Sequence, residues 1–457
     1  MESEKHCIEI QPAHNQLVQM KITIHRGGNQ IGGNCVEVAT AKTRLILDVG
    51  LPLVDPADQV AATKPSKPGK PHFPSDDPEL LQIPGLFQPG PRVDGILLSH
   101  AHADHSGLLE YSNPEIPVYC SQGTSKMLMA GSIFANQAKL DRKRERILTS
   151  GMLAEIGDIH VTAYSVDHSA FDSQAFLIEA DGQRLLYSGD LRFHGRKPGM
   201  AKALLAALAD KSIDVLLLEG TNVSKEHGRC GRTEHELEET LLERIRNAPG
   251  LVMANFSPMH VDRMVSFYKA TQKAGRQFVV DPYGAFVLHL VAGQCHIPRP
   301  EANNGIRVCY NQYFEQTWEK RNLEKVRNIF IHNRIELGDI LKAPDQYVMI
   351  FRPSMMRYDF KTGLPRDTLC VYSYWNGYLV KPEYDDLKKK LAAVGGELVE
   401  SHTSGHAFAD DLVKFVTAIQ PKCIVPIHTQ APEKYAELFK NIKVRLLKDG
   451  EEMEVDC

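Results

Sequence analysis

The sequence predicts an α/β protein made of stacked sheets that a separate, helix-flanked parallel sheet interrupts. Two patterns carry this. Up to Glu219 the chain is dominated by short apolar runs bounded by glycine and polar turns, with few helical stretches, as in strands of sheets packed on each other. After Glu219 strand-like and helix-like segments alternate, which is the mark of a parallel sheet covered by helices. From about residue 396 the earlier style returns.

The first strands are KITIHRG, CVEVAT, TRLILDVG and GILLSH, the last following a gap at 55–92. That gap is rich in proline, includes KPSKPGKPHFP, and reads as a long surface loop with polyproline character. Residues 1–20 read as a polar extension or an edge strand. Residues 123–147 read as helical, and IHVTAYSVDH, QAFLIEA, RLLYSG and DVLLLEG add strands. In the second unit, Thr233 and Glu236 have capping-box spacing and open the helix EHELEETLLERIRNA. LVMANFS, RQFVVD, QYVMIF and TLCVYSY are its strands, and EYDDLKKKLAAVG is its last helix. ELVESHTSG, the helix ADDLVKFVTAI and CIVPIHT make up the return.

Composition bounds the function. The 457 residues are 43% hydrophobic and 24% charged, enough for more than one core, and the net charge is −4. Bulk-charge coating of nucleic acid is excluded, while a confined cationic groove is allowed. The start MESEKHCIEIQPAH shows no secretory pattern, and no apolar run approaches the ~18 residues of a membrane span. The nine cysteines are scattered without a CxxC, so reduced, mostly buried thiols in a cytoplasmic protein are expected.

The chemistry centres on His100-Ala101-His102-Ala103-Asp104-His105, directly after the strand GILLS. Residues two apart in extended chain project to one side, so His100 and His102 can grip one ion while Asp104 and His105 face another. Imidazole and carboxylate suit Zn²⁺, and also Mn²⁺ or Fe²⁺. Further ligand types stand at strand ends: His168, Asp190 and His428. Taken singly, each reads as an ordinary structural residue; together with the HxHxDH run they suggest a dinuclear site.

These motifs, in this order, resemble those of the metallo-β-lactamase superfamily. Asp48 in LILDVG is similar to the superfamily's first-motif aspartate. HRGGNQIGGNCVEV, Glu219 in LLLEGT, His406 in TSGHA and His428 in PIHT resemble its β-CASP nuclease branch, ribonuclease J-like proteins above all, from about residue 21 to 440. The resemblance implies a metallo-β-lactamase αββα sandwich with an inserted β-CASP domain. Residues 1–219 would form the first part of the sandwich domain, 220–395 the insert, and 396–457 the returning part. It implies two divalent ions, Zn²⁺ first and Mn²⁺ second. His100, His102 and His168 would hold one, Asp104, His105 and His428 the other, with Asp190 bridging and Asp48 behind them.

The implied activity is that of a metal-dependent phosphodiesterase, an exo- or endoribonuclease in which a metal-bridging hydroxide attacks phosphorus and leaves 5′-phosphate and 3′-OH ends. RNA is expected before DNA, and a homodimer or a larger nuclease complex is expected. His406 is suited to protonating the leaving oxygen, since an unperturbed His titrates near ~6.5. By family likeness Glu219 would orient it. Ser404 and Gly405, ahead of a helix expected near Ala407, could bind phosphate through backbone amides. Arg192 and Arg196 follow Asp190 closely enough to suggest phosphate contacts. Arg142, Lys143, Arg144 and Arg146 read first as solvated charges. SYWNGY (373–378) reads either as a base-stacking surface or as packed interface aromatics. ANFSPMHVDRM resembles the family's substrate-gripping stretch only loosely, so His260 and Arg263 receive no role. Two other functions compete: a small-molecule metallo-hydrolase of the same superfamily, which would not need the large insert, and a non-catalytic subunit, which would not need the full ligand set.

Overall fold

The computed structural model describes residues 19–53, 78–224, 231–294, 296–300 and 305–455. Residues 1–18 and the 54–77 part of the proline-rich loop, on which sequence expectations were placed, lie outside the described residues.

Among the described residues, three seven-stranded sheets organise the chain. The first contains β1 (Lys21–Arg26), β2 (Cys35–Ala39), β3 (Arg44–Leu47), β4 (Gly95–Leu97), β5 (Val118–Cys120), β6 (Glu145–Ile147) and β21 (Glu452–Glu454), in the order β21-β1-β2-β3-β4-β5-β6. The second contains β7 (Leu153–Ile156), β8 (Ile159–Ser165), β9 (Gln174–Ala180), β10 (Gln183–Tyr187), β11 (Val215–Glu219), β19 (Cys423–Ile427) and β20 (Lys443–Val444), in the order β20-β19-β11-β10-β9-β8-β7. Ile22, Val36, Leu45 and Leu97 of the first sheet meet Val161, Phe176, Leu185, Leu217 and Val425 of the second in one buried layer. The helix Gln122–Phe134 covers the outer face of the first sheet, and Gly199–Leu208 and Ala409–Ile419 cover that of the second. The result is an αββα sandwich.

The sandwich strands that read as continuous apolar runs are buried along their whole length, as parallel strands covered on both faces are. Pro426 sits inside β19 without breaking it. Its partner on the β11 side is Leu218, while β20 pairs only with Cys423 and Ile424, so no ladder bond needs its missing N–H.

The third sheet is wholly parallel and has helices on both faces. Its strands are β12 (Val252–Asn255), β13 (Gln277–Val280), β14 (Ile306–Cys309), β15 (Arg334–Ile335), β16 (Tyr347–Ile350), β17 (Leu369–Tyr372) and β18 (Glu397–Glu400). The predicted capping box is formed: the Thr233 hydroxyl accepts from the Glu236 amide and the Glu236 carboxylate accepts from the Thr233 amide.

Three local expectations change. The helix expected over 123–147 ends at Phe134, and Glu145–Ile147 pairs with β5 as an edge strand. Glu397–Glu400, assigned by sequence to the return, pairs with β17, so the third sheet continues past residue 395. The helix expected near Ala407 begins at Ala409. Cys35, Cys120, Cys309, Cys370 and Cys423 are buried and outside any disulfide, and burial pushes the thiols of the first four up to about 12. No helix among the described residues is long and apolar enough to cross a membrane.

Candidate metal centre

The sandwich brings the ends of six strands to one edge. Asp48 follows β3, His100 follows β4, His168 follows β8 and Asp190 follows β10; Glu219 ends β11 and His428 follows β19. The HxHxDH segment is clasped there by the turn after β3. Val49 N donates to His105 O at 2.8 Å, Leu51 N to Ala103 O at 2.9 Å, and Asn34 N to Asp104 O at 3.2 Å. A Cβ on Gly50 would lie 1.8 Å from the Asp104 carbonyl oxygen, so only glycine lets the two segments approach. Asp48 and His428 themselves hold left-handed backbone (φ 59° and 50°), a costly conformation that clusters at functional sites.

Potential ligand atoms of His100, His102 and His168, of His100, Asp104 and His105, and of Asp190, Glu219, His406 and His428 form groups whose members lie within 4.8 Å of one another. His100 Nε2 and His168 Nε2 each lie 3.2 Å from His102 Nδ1. Two nitrogens bound to one tetrahedral ion at 2.0–2.1 Å would be roughly 3.3 Å apart. Asp190 Oδ2 is 3.1 Å from His105 Nε2, 3.7 Å from His100 Nε2 and 3.8 Å from His168 Nε2. His428 Nε2 is 3.3 Å from Asp104 Oδ2.

His105, His168, His100 and His428 each have their other ring nitrogen occupied. His105 Nδ1 donates to Asp48 Oδ2 at 2.7 Å, and His168 Nδ1 donates to the Gly405 carbonyl at 2.6 Å. His100 Nδ1 is 3.0 Å from the Ser99 hydroxyl, and His428 Nδ1 is 2.7 Å from the Thr221 hydroxyl. Asp48 also accepts from Ser99 N, Ser99 Oγ and Tyr187 Oη, each at 2.7 Å. Such partners fix ring orientation and leave Nε2 lone pairs aimed inward.

A divalent cation fits this donor set. His105 Nε2 and Asp190 Oδ2 face each other at 3.1 Å without hydrogen-bond geometry, and Asp190 Oδ1 is buried with no hydrogen-bond partner at all, as atoms of a cation site would be. Burial depresses the pKa of His100 and His168 strongly and that of His102 to about 4, so these rings are neutral near pH 7, as ligation requires. His105 goes the other way: Asp190 and Asp48 outweigh its burial and raise it.

Glu219 is fully buried. Its carboxylate accepts from Thr221 N at 3.0 Å and from Ala407 N at 3.1 Å, while His406 Nδ1 stays 3.6 Å away. It therefore holds the His406 segment through the backbone rather than through the ring. His406 Nδ1 is 3.1 Å from the Thr221 hydroxyl and 3.6 Å from Asp190, and its side chain is 20% exposed, on the open side of the cluster.

The expected phosphate contacts are revised. Arg192 is completely buried: Nε donates to Asp167 at 2.9 Å, Nη2 to Asp262 at 2.7 Å and Nη1 to Glu234 at 3.3 Å. Arg196 pairs with Glu238 and donates to Ser266 Oγ at 2.9 Å. Both guanidinium groups are committed to carboxylates at the junction with the insert and are not free for substrate. Ser404 and Gly405 stand ahead of the helix that begins at Ala409; the Ser404 carbonyl accepts from His194 and the Gly405 carbonyl from the ligand candidate His168. Arg144 is buried against the carbonyl of Ile116 and the hydroxyl of Ser112. Arg263 emerges as a junction residue, donating to Glu234 at 2.8 Å, to Ser373 O at 3.0 Å and to Thr403 O at 3.1 Å. Ser99, Tyr187 and Thr221 were missed by sequence reasoning; only Thr221 had a signal, its place in the EGT motif.

Comparison with known proteins places this edge in context. Residues 74–273 match a beta-lactamase superfamily domain, and residues 394–447 match a Zn-dependent metallo-hydrolase RNA specificity domain. The chain belongs to the metallo-β-lactamase superfamily. Within the superfamily it is ribonuclease J-like, and its third sheet is the β-CASP insertion. It is 24% identical to "Ribonuclease J" of Helicobacter pylori (strain B128), with 96% of this chain and 61% of that protein covered. It is 22% identical to an "RNase J-like protein" of Methanocaldococcus jannaschii, with 93% and 96% covered. A crystal structure of a protein of unknown function from Enterococcus faecalis V583 has the same fold, with a TM-score of 0.74, 23% identity, and 95% and 100% covered. The chain spans only about three-fifths of the H. pylori relative's length. His100, His102, His168 and Asp190 fall within the first matched domain, and His406 and His428 within the second.

Proposed function

We propose that this chain is a metal-dependent nuclease that hydrolyses phosphodiester bonds of RNA. The observation that carries this is the convergence of potential ligand atoms of His100, His102, His168, Asp104, His105, His428 and Asp190, with both Asp190 oxygens buried and without a hydrogen-bond partner. The RNA specificity match over residues 394–447, and relatives named ribonuclease J, support RNA as the substrate.

Two divalent ions are proposed, Zn²⁺ before Mn²⁺. His100, His102 and His168 would hold one; Asp104, His105 and His428 the other; Asp190 would be shared. When bound, such ions polarise the phosphodiester and make water a nucleophile at neutral pH, leaving 5′-phosphate and 3′-OH ends. The chain's own residues do the rest. Asp48, Ser99, Thr221 and the Gly405 carbonyl hold the imidazoles in one tautomer. His406, at the open side, donates a proton to the leaving oxygen. Glu219 positions the His406 segment through the Ala407 amide. The proposed division has the sandwich at 1–219 and 396–457 and the insert at 220–395, with β18 added to the insert. Cytoplasmic location and self-association are proposed on the same likeness.

The test is cleavage of 5′-monophosphate RNA, 5′-triphosphate RNA, single-stranded DNA and duplexes with Zn²⁺ or Mn²⁺. RNA cleavage abolished by His102→Ala is expected. DNA-only cleavage would change the substrate. No cleavage of any substrate by the metal-loaded protein would overturn the reading, in favour of a small-molecule hydrolase or a non-catalytic subunit.

A further inference from the structure

The aromatic residues from Tyr372 to Tyr384 divide into two parts. Tyr372 and Tyr384 pack inside the insert, edge to face at 5.2 Å, and are buried. Trp375 stands outside, 45% exposed, although large apolar side chains in this chain are mostly buried.

Its position is built rather than loose. The Tyr372 hydroxyl donates to the Trp375 carbonyl at 2.7 Å, which pins the backbone. The indole lies over Gly377, where a Cβ would come within 2.3–2.5 Å of three of its ring atoms. The Tyr378 ring meets it edge to face, with centroids 5.3 Å apart and planes at 83°. Lys381 Nζ lies 4.7 Å from the Tyr378 centroid, and among the described residues it has no carboxylate partner. The platform thus offers a half-exposed indole beside a lysine ammonium that rests on the Tyr378 ring, which complements a base carried on a phosphate backbone.

It also adjoins the metal centre. Ser373, two residues before Trp375, accepts from Arg263 and donates to the Ser401 carbonyl, at the start of the loop that carries His406. Beside Asp104, a Cβ on Gly32 would touch both Asp104 and Leu53, so one exposed apolar side chain, Leu53 at 48%, stands next to that ligand.

We propose that Trp375, seated on Gly377 and braced by Tyr378, is a stacking platform for a nucleobase of the single strand whose phosphate occupies the His/Asp cluster. The proposal rests on the nuclease reading and deepens it: the substrate is single-stranded, and the contact tolerates any base, because every base has a π-face.

The chain has two tryptophans, so in a full-length Trp318→Phe protein the emission reports Trp375 alone. This protein is titrated in EDTA with a short oligoribonucleotide and with an abasic strand of the same length. Quenching by the base-containing strand and little by the abasic one is expected. Trp375→Ala should weaken binding about ten-fold, as loss of one base stack does, with the loss falling on KM rather than kcat. Trp375→Phe should restore most of it. Gly377→Val should reproduce the defect with the indole still present. Equal response to the abasic strand, or unchanged binding in Trp375→Ala while the wild type cleaves RNA, would overturn the platform and leave the nuclease reading intact. Base-dependent quenching without cleavage of any phosphodiester would keep the platform and remove the hydrolysis reading. Neither quenching nor cleavage would remove both.

Discussion

In the His/Asp cluster, both oxygens of Asp190 and Nε2 of His105 are buried without a hydrogen-bond partner. In the neighbouring cluster at the junction with the insert, Glu234 is equally buried, yet it accepts from Arg192, Arg263 and Ser266, and Arg192 goes on to pair Asp167 and Asp262. The two clusters meet along one loop: Arg263 holds the Thr403 carbonyl, Arg192 the Ser404 carbonyl, and the Gly405 carbonyl holds His168. In the junction cluster the guanidinium groups and carboxylates are matched and the ring atoms His194 Nδ1 and His260 Nε2 lack a hydrogen-bond partner; in the His/Asp cluster both oxygens of a buried carboxylate do, as a cation site would leave them.

That contrast can be broken most sharply at Asp190. Asp190→Ala removes the carboxylate common to both halves of the ligand set. Loss of bound divalent ion by elemental analysis is expected, with a fall in RNA cleavage on the order of 10³-fold, the equivalent of about 4 kcal/mol of lost charge stabilisation. Retention of both ions and activity would dissolve the distinction between the clusters. Next in size is Glu234→Gln. Removing one partner of a buried ionic network costs about 3–5 kcal/mol, read as a lowered denaturant midpoint, while the folded fraction keeps its ions. Ion loss without a stability change would mean that the junction is part of the metal centre.

Asp48→Asn sharpens the comparison from within the ligand cluster. The carboxylate that orients His105 touches no proposed ion directly, so a 10–100-fold loss of ion affinity is expected, roughly the effect of losing such a support. A chelator-competition titration would measure it. An unchanged affinity would show that His105 keeps its orientation without Asp48.

The smallest effect concerns acid. Burial, helped by Arg192, lowers His194 to about 4, and burial with Arg263 does the same to His260. Their unfolded values lie near ~6.5, so between those limits the unfolded chain binds more protons than the folded one. Stability from these two residues is complete above about pH 6.5 and is lost as pH falls toward about 4, with a slope of up to about 1.4 kcal/mol per pH unit for each. The double variant His194→Gln/His260→Gln should flatten that part of a Tm-against-pH curve. An unaltered curve would place the acid sensitivity elsewhere.

The HxHxDH run could be seen in the sequence because its ligands are nearly contiguous, and the sandwich could be seen because buried parallel strands are apolar throughout. The supports of the ligands could not. Ser99, Tyr187 and Thr221 are ordinary residue types that reach the rings only after six strands converge. Arg192 was misjudged for the opposite reason. It follows Asp190 by two residues, but its side chain turns to carboxylates at 167, 234 and 262, and nothing local to GDLRFHGRK signals that. The strand Glu397–Glu400 is half exposed and short, so its sequence does not say which sheet it joins.

His428 and Asp104 meet across 324 residues of chain, and the strand that carries His428 follows the entire insert. A nascent polypeptide therefore exposes its histidine-rich motif long before the last ligand emerges from the ribosome. On the proposed function, a nascent chain that has made the whole insert but not β19 still lacks one of the ligands, so the order of synthesis delays completion of the centre until both parts of the sandwich are present.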